Sequence, residues 1–179
     1  MELKGSRTEA NLMAAFAGES QARNKYTFYA AQAKQEGYEQ IGNIFLETAN
    51  NEKEHAEIWF KRLQGGTLRG TAENLLDAAA GEHYEWSDMY ANFAQVAKEE
   101  GFNDIAALFD LVAKIENSHE QRFRKLLDNL NTGKVFQRDA ETVWVCLNCG
   151  HIYRGATPPA LCPVCKKPQA WFKLQVEDY

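Results

Sequence analysis

The sequence predicts an all-α four-helix bundle followed by a small C-terminal β/loop domain folded around a metal ion. Three observations carry that expectation. All four prolines lie between 158 and 168, so the long N-terminal stretch holds no helix breaker of that kind. Within it, AKQEGYEQIGNIF (33–45) matches AKEEGFNDIAALF (97–109) at an offset of 64, which reads as one helical hairpin present twice. The four cysteines form two CxxC pairs confined to the last 34 residues, a pattern that points to metal before disulfide.

The helices follow from apolar spacing and glycine punctuation. The first runs from about Thr8, a candidate cap, to Glu36 before Gly37, and the second from about Glu39 to Gln64 before Gly65-Gly66. The stretch TLRGT (67–71) leads into a third, ending near Glu100 before Gly101, and a fourth spans about Asn103 to Asn131. The domains divide as 1–133 for the bundle, 134–142 for a polar linker and 143–179 for the cysteine domain, where short aromatic and β-branched pieces suggest small strands. Upstream of the clear match, Gly18-Glu19 pairs with Gly81-Glu82 at an offset of 63, so the third helix gains one residue between Glu82 and Ala97. A π-bulge is the expected way for a continuous helix to absorb it.

Each apolar stripe carries acids midway along. Glu19 lies between Phe16 and Tyr26, Glu52 and His55 between Phe45 and Trp59, Glu82 and Glu85 between Ala79 and Met89, and Glu116 and His119 between Val112 and Phe123. A single Glu on such a stripe ordinarily snorkels or pairs with arginine. Two E-x-x-H motifs in register within a repeat, each matched with a helix bearing mid-stripe acid, call for another cause. Residues i and i+3 share a helix face, so each motif offers one oxygen and one nitrogen to a single point. Five carboxylates drawn inward repel and resist desolvation, and the central stripe positions hold no Lys or Arg to neutralise them. Two di- or trivalent cations would.

The same five acids account for the charge. The formal net charge is −5, from 20 Lys and Arg against 25 Asp and Glu, so setting Glu19, Glu52, Glu82, Glu85 and Glu116 aside leaves a balanced exterior. Basic residues form no stripe and are not interleaved with aromatics, which argues against nucleic acid. No leader-like or membrane-length apolar run occurs, and the expectation is a soluble cytoplasmic protein.

In the tail, Cys146, Cys149, Cys162 and Cys165 suit a tetrahedral four-thiolate site. Zinc as a structural ion and a single iron as a one-electron carrier both fit. His151 is not needed as a ligand, because four thiolates already fill such a site. Tyr26 and Tyr90, two turns beyond Glu19 and Glu82, are candidates for hydrogen bonding to ligand carboxylates or plain amphipathic core residues. His83, about 100° off its stripe, is expected to face solvent.

One Glu from each of two helices plus E-x-x-H from each of the other two resembles the ferritin-like di-iron bundles. With a cysteine tail bearing Trp144, Tyr153, Trp171 and Phe172, the whole chain resembles the rubrerythrin family, on Glu19, E52-K-E-H55, E82-H-Y-E85 and E116-N-S-H119. The tail departs from free-standing rubredoxin: only 12 residues separate the cysteine pairs, a shortness that itself resembles rubrerythrins, and Leu161 stands where an aromatic often precedes the second pair. The resemblance favours iron in the tail, since a di-iron bundle needs electrons. It implies that Glu52 and Glu116 bridge two irons, that Glu19 and Glu85 serve one and Glu82 and His119 the other, and that one iron exchanges Glu85 for His55 on reduction. It also implies an NAD(P)H-linked peroxidase of anaerobic or microaerophilic cells, reducing hydrogen peroxide to water with electrons relayed through the tetracysteine iron from a reductase or rubredoxin.

The resemblance further implies a head-to-tail homodimer. Residues 64–71 are too short to return along a parallel second helix, since they reach about 27 Å against a helix of about 39 Å. Either part of 72–79 joins the crossover, or the second and third helices exchange between subunits. Three other classes are weighed. An iron-oxidising or storing protein leaves the cysteine carrier unexplained, a zinc-ribbon interaction module leaves the acidic stripes unexplained, and a di-iron oxygenase needs a substrate cavity where these stripes carry Tyr, Phe and Trp.

Overall fold

The computed structural model describes residues 2–176. They divide into two compact units at the boundary between Arg69 and Gly70, each taken by itself below.

The first unit is a hairpin of α1 (Arg7–Gln35) and α2 (Glu39–Leu63). Ser6, not Thr8, caps α1: its Oγ accepts the Glu9 N–H at 3.1 Å, while Glu9 Oε2 accepts the Gly5 N–H at 2.7 Å. At the far end Gly37 takes φ +88°, and the Tyr38 N–H reaches Ala33 O at 2.8 Å, which stops the helix and turns the chain. The two helices meet on small residues, with Ala30, Ala33, Gly42, Ala49 and Ala56 buried. A Cβ on Gly42 would stand 2.7 Å from Lys34 Cγ and 3.1 Å from Ala30 O, so the close approach needs glycine there.

The second unit repeats the hairpin and adds the tail. Its first limb is α3 (Thr71–Tyr84), a π-helical turn (Glu85–Met89) and α4 (Tyr90–Glu99); α5 (Asn103–Asn131) returns. The residue gained in the second repeat is therefore absorbed as a π-turn, as the offset change from 63 to 64 predicts. The turn into α5 repeats the first: Gly101 has φ +86°, and the Phe102 N–H reaches Ala97 O at 2.8 Å. Ala79, Ala94, Ala97 and Ala106 are buried, the last standing where the first hairpin has Gly42.

Of the two alternatives for the connection between the second and third helices, one is not seen here. Residues 72–79 do not join the crossover. Thr71 already begins α3, with the Gly70 N–H held by Glu73 Oε2 at 3.1 Å. An acidic side chain reaching back to cap the first turn makes helix the favourable state from residue 71 onward.

The tail is a three-stranded antiparallel sheet, β1 (Thr142–Cys146), β2 (Ile152–Gly155) and β3 (Phe172–Leu174), in the order β2-β1-β3. Trp144, Cys146, Cys162 and Phe172 form its core, each 3% exposed or less. Trp144 Nε1 donates to Gly155 O at 3.0 Å, so the indole is buried with its one donor satisfied. The two units together thus hold four long helices and a small cysteine-bearing strand region. No helix among the described residues is long and apolar enough to cross a membrane.

Candidate metal centres

Three clusters of ligating side chains stand out among the described residues. In the first hairpin, ligand atoms of Glu19, Glu52 and His55 all lie within 4.8 Å of one another; in the second, those of Glu82, Glu116 and His119 do the same. The third joins Cys146, Cys149, Cys162 and Cys165 within the same limit.

The carboxylate clusters follow directly from helix periodicity. His55 Nδ1 stands 2.9 Å from Glu52 Oε2 and 3.9 Å from Glu19 Oε2. In the repeat, His119 Nδ1 stands 2.6 Å from Glu116 Oε2 and 3.6 Å from Glu82 Oε2. An E-x-x-H on one helix faces a single Glu on its neighbour, in both copies. The electrostatics are those of a cation site. Burial first, then the adjoining Glu116, holds the Glu82 carboxyl above its ordinary value. Hydrogen bonding from His55 and Glu19 draws Glu52 down instead. The basic side chains pair with other acids, Lys34 with Glu39, Lys61 with Glu57 and Lys98 with Asp110. Hard carboxylate oxygens with one imidazole nitrogen per cluster suit iron.

Glu85 stands apart from the two clusters. It begins the π-turn, three residues after Glu82, and its charge acts on both Glu82 and Tyr90. Tyr90 packs on Phe109 at 5.8 Å and Tyr26 on Phe45 at 6.1 Å, equivalent pairs in the two hairpins. Burial, reinforced by Glu85 and Glu116, pushes the Tyr90 phenol upward. His83 is half exposed but not left to solvent: its Nδ1 lies 3.0 Å from Glu120 Oε2. Sequence reasoning missed Glu120, which is only 7% exposed yet lies one position beyond His119 and off the apolar stripe. The only signal for it was its counterpart Ala56, a small residue where the second repeat has a charge.

The cysteine cage is built from two equivalent knuckles. The Gly150 N–H reaches Cys146 O and the Lys166 N–H reaches Cys162 O, both at 2.9 Å. Each knuckle turns through a left-handed residue, Gly150 at φ +74° and Lys166 at φ +61°. Sulfur pairs stand 3.7 Å apart (Cys146 and Cys165) and 3.6 Å apart (Cys149 and Cys162). A tetrahedron with metal–sulfur bonds of about 2.3 Å has edges of about 3.8 Å, so the cage fits one ion. The backbone N–H of Lys167 draws Cys165 down to about 6, making it a thiolate at neutral pH. For Cys149 the His151 N–H pulls the same way, but burial and the neighbouring cysteines prevail and push it up to about 12.

Two carboxylate–histidine clusters on a repeated hairpin and a tetrathiolate cage define a metalloprotein of the di-iron carboxylate class with an attached rubredoxin-like centre. Residues 10–127 match the family model for rubrerythrin, and residues 144–173 match that for the rubrerythrin rubredoxin-like domain. The chain is 50% identical to rubrerythrin-1 of Clostridium acetobutylicum over 99% of its length and 98% of that protein's. It is likewise 50% identical to rubrerythrin of Porphyromonas gingivalis (99% and 94%) and 48% identical to that of Nitratidesulfovibrio vulgaris (96% and 96%). Among solved structures it aligns with the partially reduced state of nigerythrin over 97% of this chain and 91% of that one, at 30% identity and a TM-score of 0.37. On the sequence matches, the chain belongs to the rubrerythrin family. Its cofactors are accordingly a di-iron carboxylate centre and a metal ion held by the four cysteines of the rubredoxin-like domain.

Proposed function

We propose that this chain is a non-haem di-iron peroxidase that reduces hydrogen peroxide to water in the cytoplasm of cells living with little oxygen. The observation that carries the reading is the presence, in one chain, of two carboxylate–histidine clusters and a tetracysteine cage. Iron storage has no use for the cage, and an interaction module has no use for the clusters. Each peroxide takes up two electrons and two protons, its O–O bond breaks, and two waters leave. When bound, the iron pair supplies both electrons together, and the cage iron restores them singly from an NAD(P)H-linked reductase or a rubredoxin.

Each side chain then has a task. Glu52 and Glu116 would be shared between the two metals, Glu19 and Glu85 would serve one, and Glu82 and His119 the other. His55 would take the place of Glu85 on reduction, because neutral imidazole suits the ferrous ion and carboxylate the ferric. Glu85 or a neighbouring carboxylate would hold and pass a proton. Tyr26 and Tyr90 steady the carboxylates from behind. Functionally the chain divides into a di-iron bundle (1–133), a linker (134–142) and an electron-delivery domain (143–179).

The active form is a homodimer. Ile41, Ile44 and Ile58 on the first hairpin, and Leu108, Leu111 and Ile115 on the second, are about half exposed, and a second copy is the partner that matches a repeated apolar face. The two copies run head to tail, and exchange of helices between them is one way to accommodate a connection of only 64–70 after a 25-residue helix. The cage of one chain then serves a bundle completed by its partner.

Anaerobic stopped-flow mixing tests the reading. Fully reduced holoprotein is mixed with hydrogen peroxide and, separately, with oxygen, while the iron–thiolate colour is followed. The proposal expects faster return of colour with peroxide. Faster return with oxygen would move the assignment to an oxidase or ferroxidase.

A further inference from the structure

Glu120 gathers three donors from two helices. Its Oε2 accepts from Trp86 Nε1 at 2.5 Å and pairs with His83 Nδ1 at 3.0 Å, and its Oε1 accepts from Arg124 Nε at 2.6 Å. Trp86 is the second residue of the π-turn, and His83 follows Glu82. One carboxylate on α5 thus grips the chain on both sides of Glu85. The two gripped rings meet edge to face, with centroids 5.2 Å apart and planes at 88°. Trp86 also walls an open groove with Ala113, Lys114 and Asn117, so burial alone does not fix its indole.

The first hairpin supplies a comparison within the same molecule. There the positions of His83, Trp86 and Glu120 are taken by Ser20, Arg23 and Ala56. In that hairpin α1 is α-helical from Arg7 to Gln35, with no gained residue, and Ala22 stands where the second has Glu85. The clamp, the π-turn and the extra carboxylate therefore occur together or not at all.

The physical need is specific. An α-helix with one residue too many can carry its bulge at several places at similar cost, and moving the bulge past a residue swings that side chain by about 100° around the axis. Backbone bonding does not itself choose the place. An anionic acceptor on the neighbouring helix, binding donors at 83 and 86, does.

We propose that Glu120 is a positioning residue: by clamping His83 and Trp86 it holds the π-turn at Glu85–Met89 and so sets Glu85 beside Glu82. The register claim stands on its own; its consequence for the metal rests on the reading above that Glu85 is a ligand.

The test uses the full chain with the cage filled by zinc, as wild type, Trp86→Phe and Glu120→Ala. Hydrogen exchange is measured before metal enters the carboxylate clusters, and the visible spectrum is then followed during Co(II) titration. The expected result is exchange at residues 85–90 faster by about ten-fold or more in both variants, with 104–115 unchanged. Co(II) affinity falls by about 10–100-fold and the cobalt spectrum changes shape. Unchanged exchange in Trp86→Phe would overturn the clamp, and that variant decides the matter should Glu120→Ala not fold. Faster exchange with an unaltered cobalt spectrum would reduce Glu120 to a structural residue and overturn its positioning role. Failure of wild type to take up cobalt at the clusters would instead strike the di-metal reading, and the exchange result would still decide the register.

Discussion

Ala22 and Glu85 occupy equivalent places in the two hairpins, three residues after Glu19 and Glu82, and only the second bears a carboxylate. The repeat is symmetric in its two clusters and asymmetric at this one position. A carboxylate on one side alone is what a ligand exchange with His55 requires. Replacing Glu85 by Ala is expected to leave iron bound while lowering peroxide turnover by about 10–100-fold, measured as turnover against iron content. Replacing Glu52 by Ala is expected to lose cluster iron outright while the cage keeps its own. Equal turnover in Glu85→Ala and wild type would contradict the exchange.

Glu82 ties stability to pH in the metal-free clusters. Its folded carboxyl is raised above the ordinary 4.5, chiefly by burial, so the folded chain binds its proton more tightly than the unfolded one. That contribution is complete below the unfolded value and is lost as pH rises through the folded one. With zinc kept in the cage and the clusters metal-free, Glu82→Gln is therefore expected to raise the thermal midpoint at pH 7 by about 2–4 °C for each kcal/mol recovered. The gain shrinks toward pH 4, and thermal scans at the two pH values check it.

Lys166 and Gly150 close equivalent knuckles with positive φ, at +61° and +74°. A side chain costs about 1–2 kcal/mol in that conformation. Lys166→Gly is expected to stabilise the cysteine domain by up to about 1 kcal/mol, and Gly150→Ala to destabilise it by a similar amount. Unfolding of the metal-loaded protein followed by Trp144 fluorescence reads both.

The exposed apolar faces give a further test. Leu108→Lys together with Ile44→Lys is expected to shift the protein from dimer to monomer in light scattering, with a parallel fall in cluster iron. A dimer that persists with full iron would contradict the proposed interface.

The sequence carried much of this, and for identifiable reasons. The i, i+3 spacing and the repeat place these side chains, so the clustering of Glu19, Glu52 and His55 and of Glu82, Glu116 and His119 was legible, as was that of the four cysteines. The π-turn was legible as a change of offset, because an inserted residue leaves a trace that no propensity scale needs to see. Glu120 was not: its partners Trp86 and His83 lie 34 and 37 residues away, and only packing of α5 against the π-turn brings them within reach. The length of the crossover left two alternatives open, and the cap that Glu73 places on Gly70, which starts α3 at Thr71, decides against the one that unwinds 72–79. Nor did the stripes reveal that each hairpin meets on alanines, leaving Ile41 and Leu108 half exposed.

The central claim is that clusters and cage act together on peroxide, and an anaerobic titration tests it most directly. Fully reduced protein, with all its iron ferrous, is titrated with hydrogen peroxide until no more is consumed. Two cluster irons and one cage iron hold three electrons and each peroxide takes two, so the account predicts about one and a half molecules of peroxide per chain, with the cage colour fully restored. Consumption near half a molecule per chain would mean that the cage reacts alone, and consumption near one with the cage still reduced would mean that the two centres do not communicate.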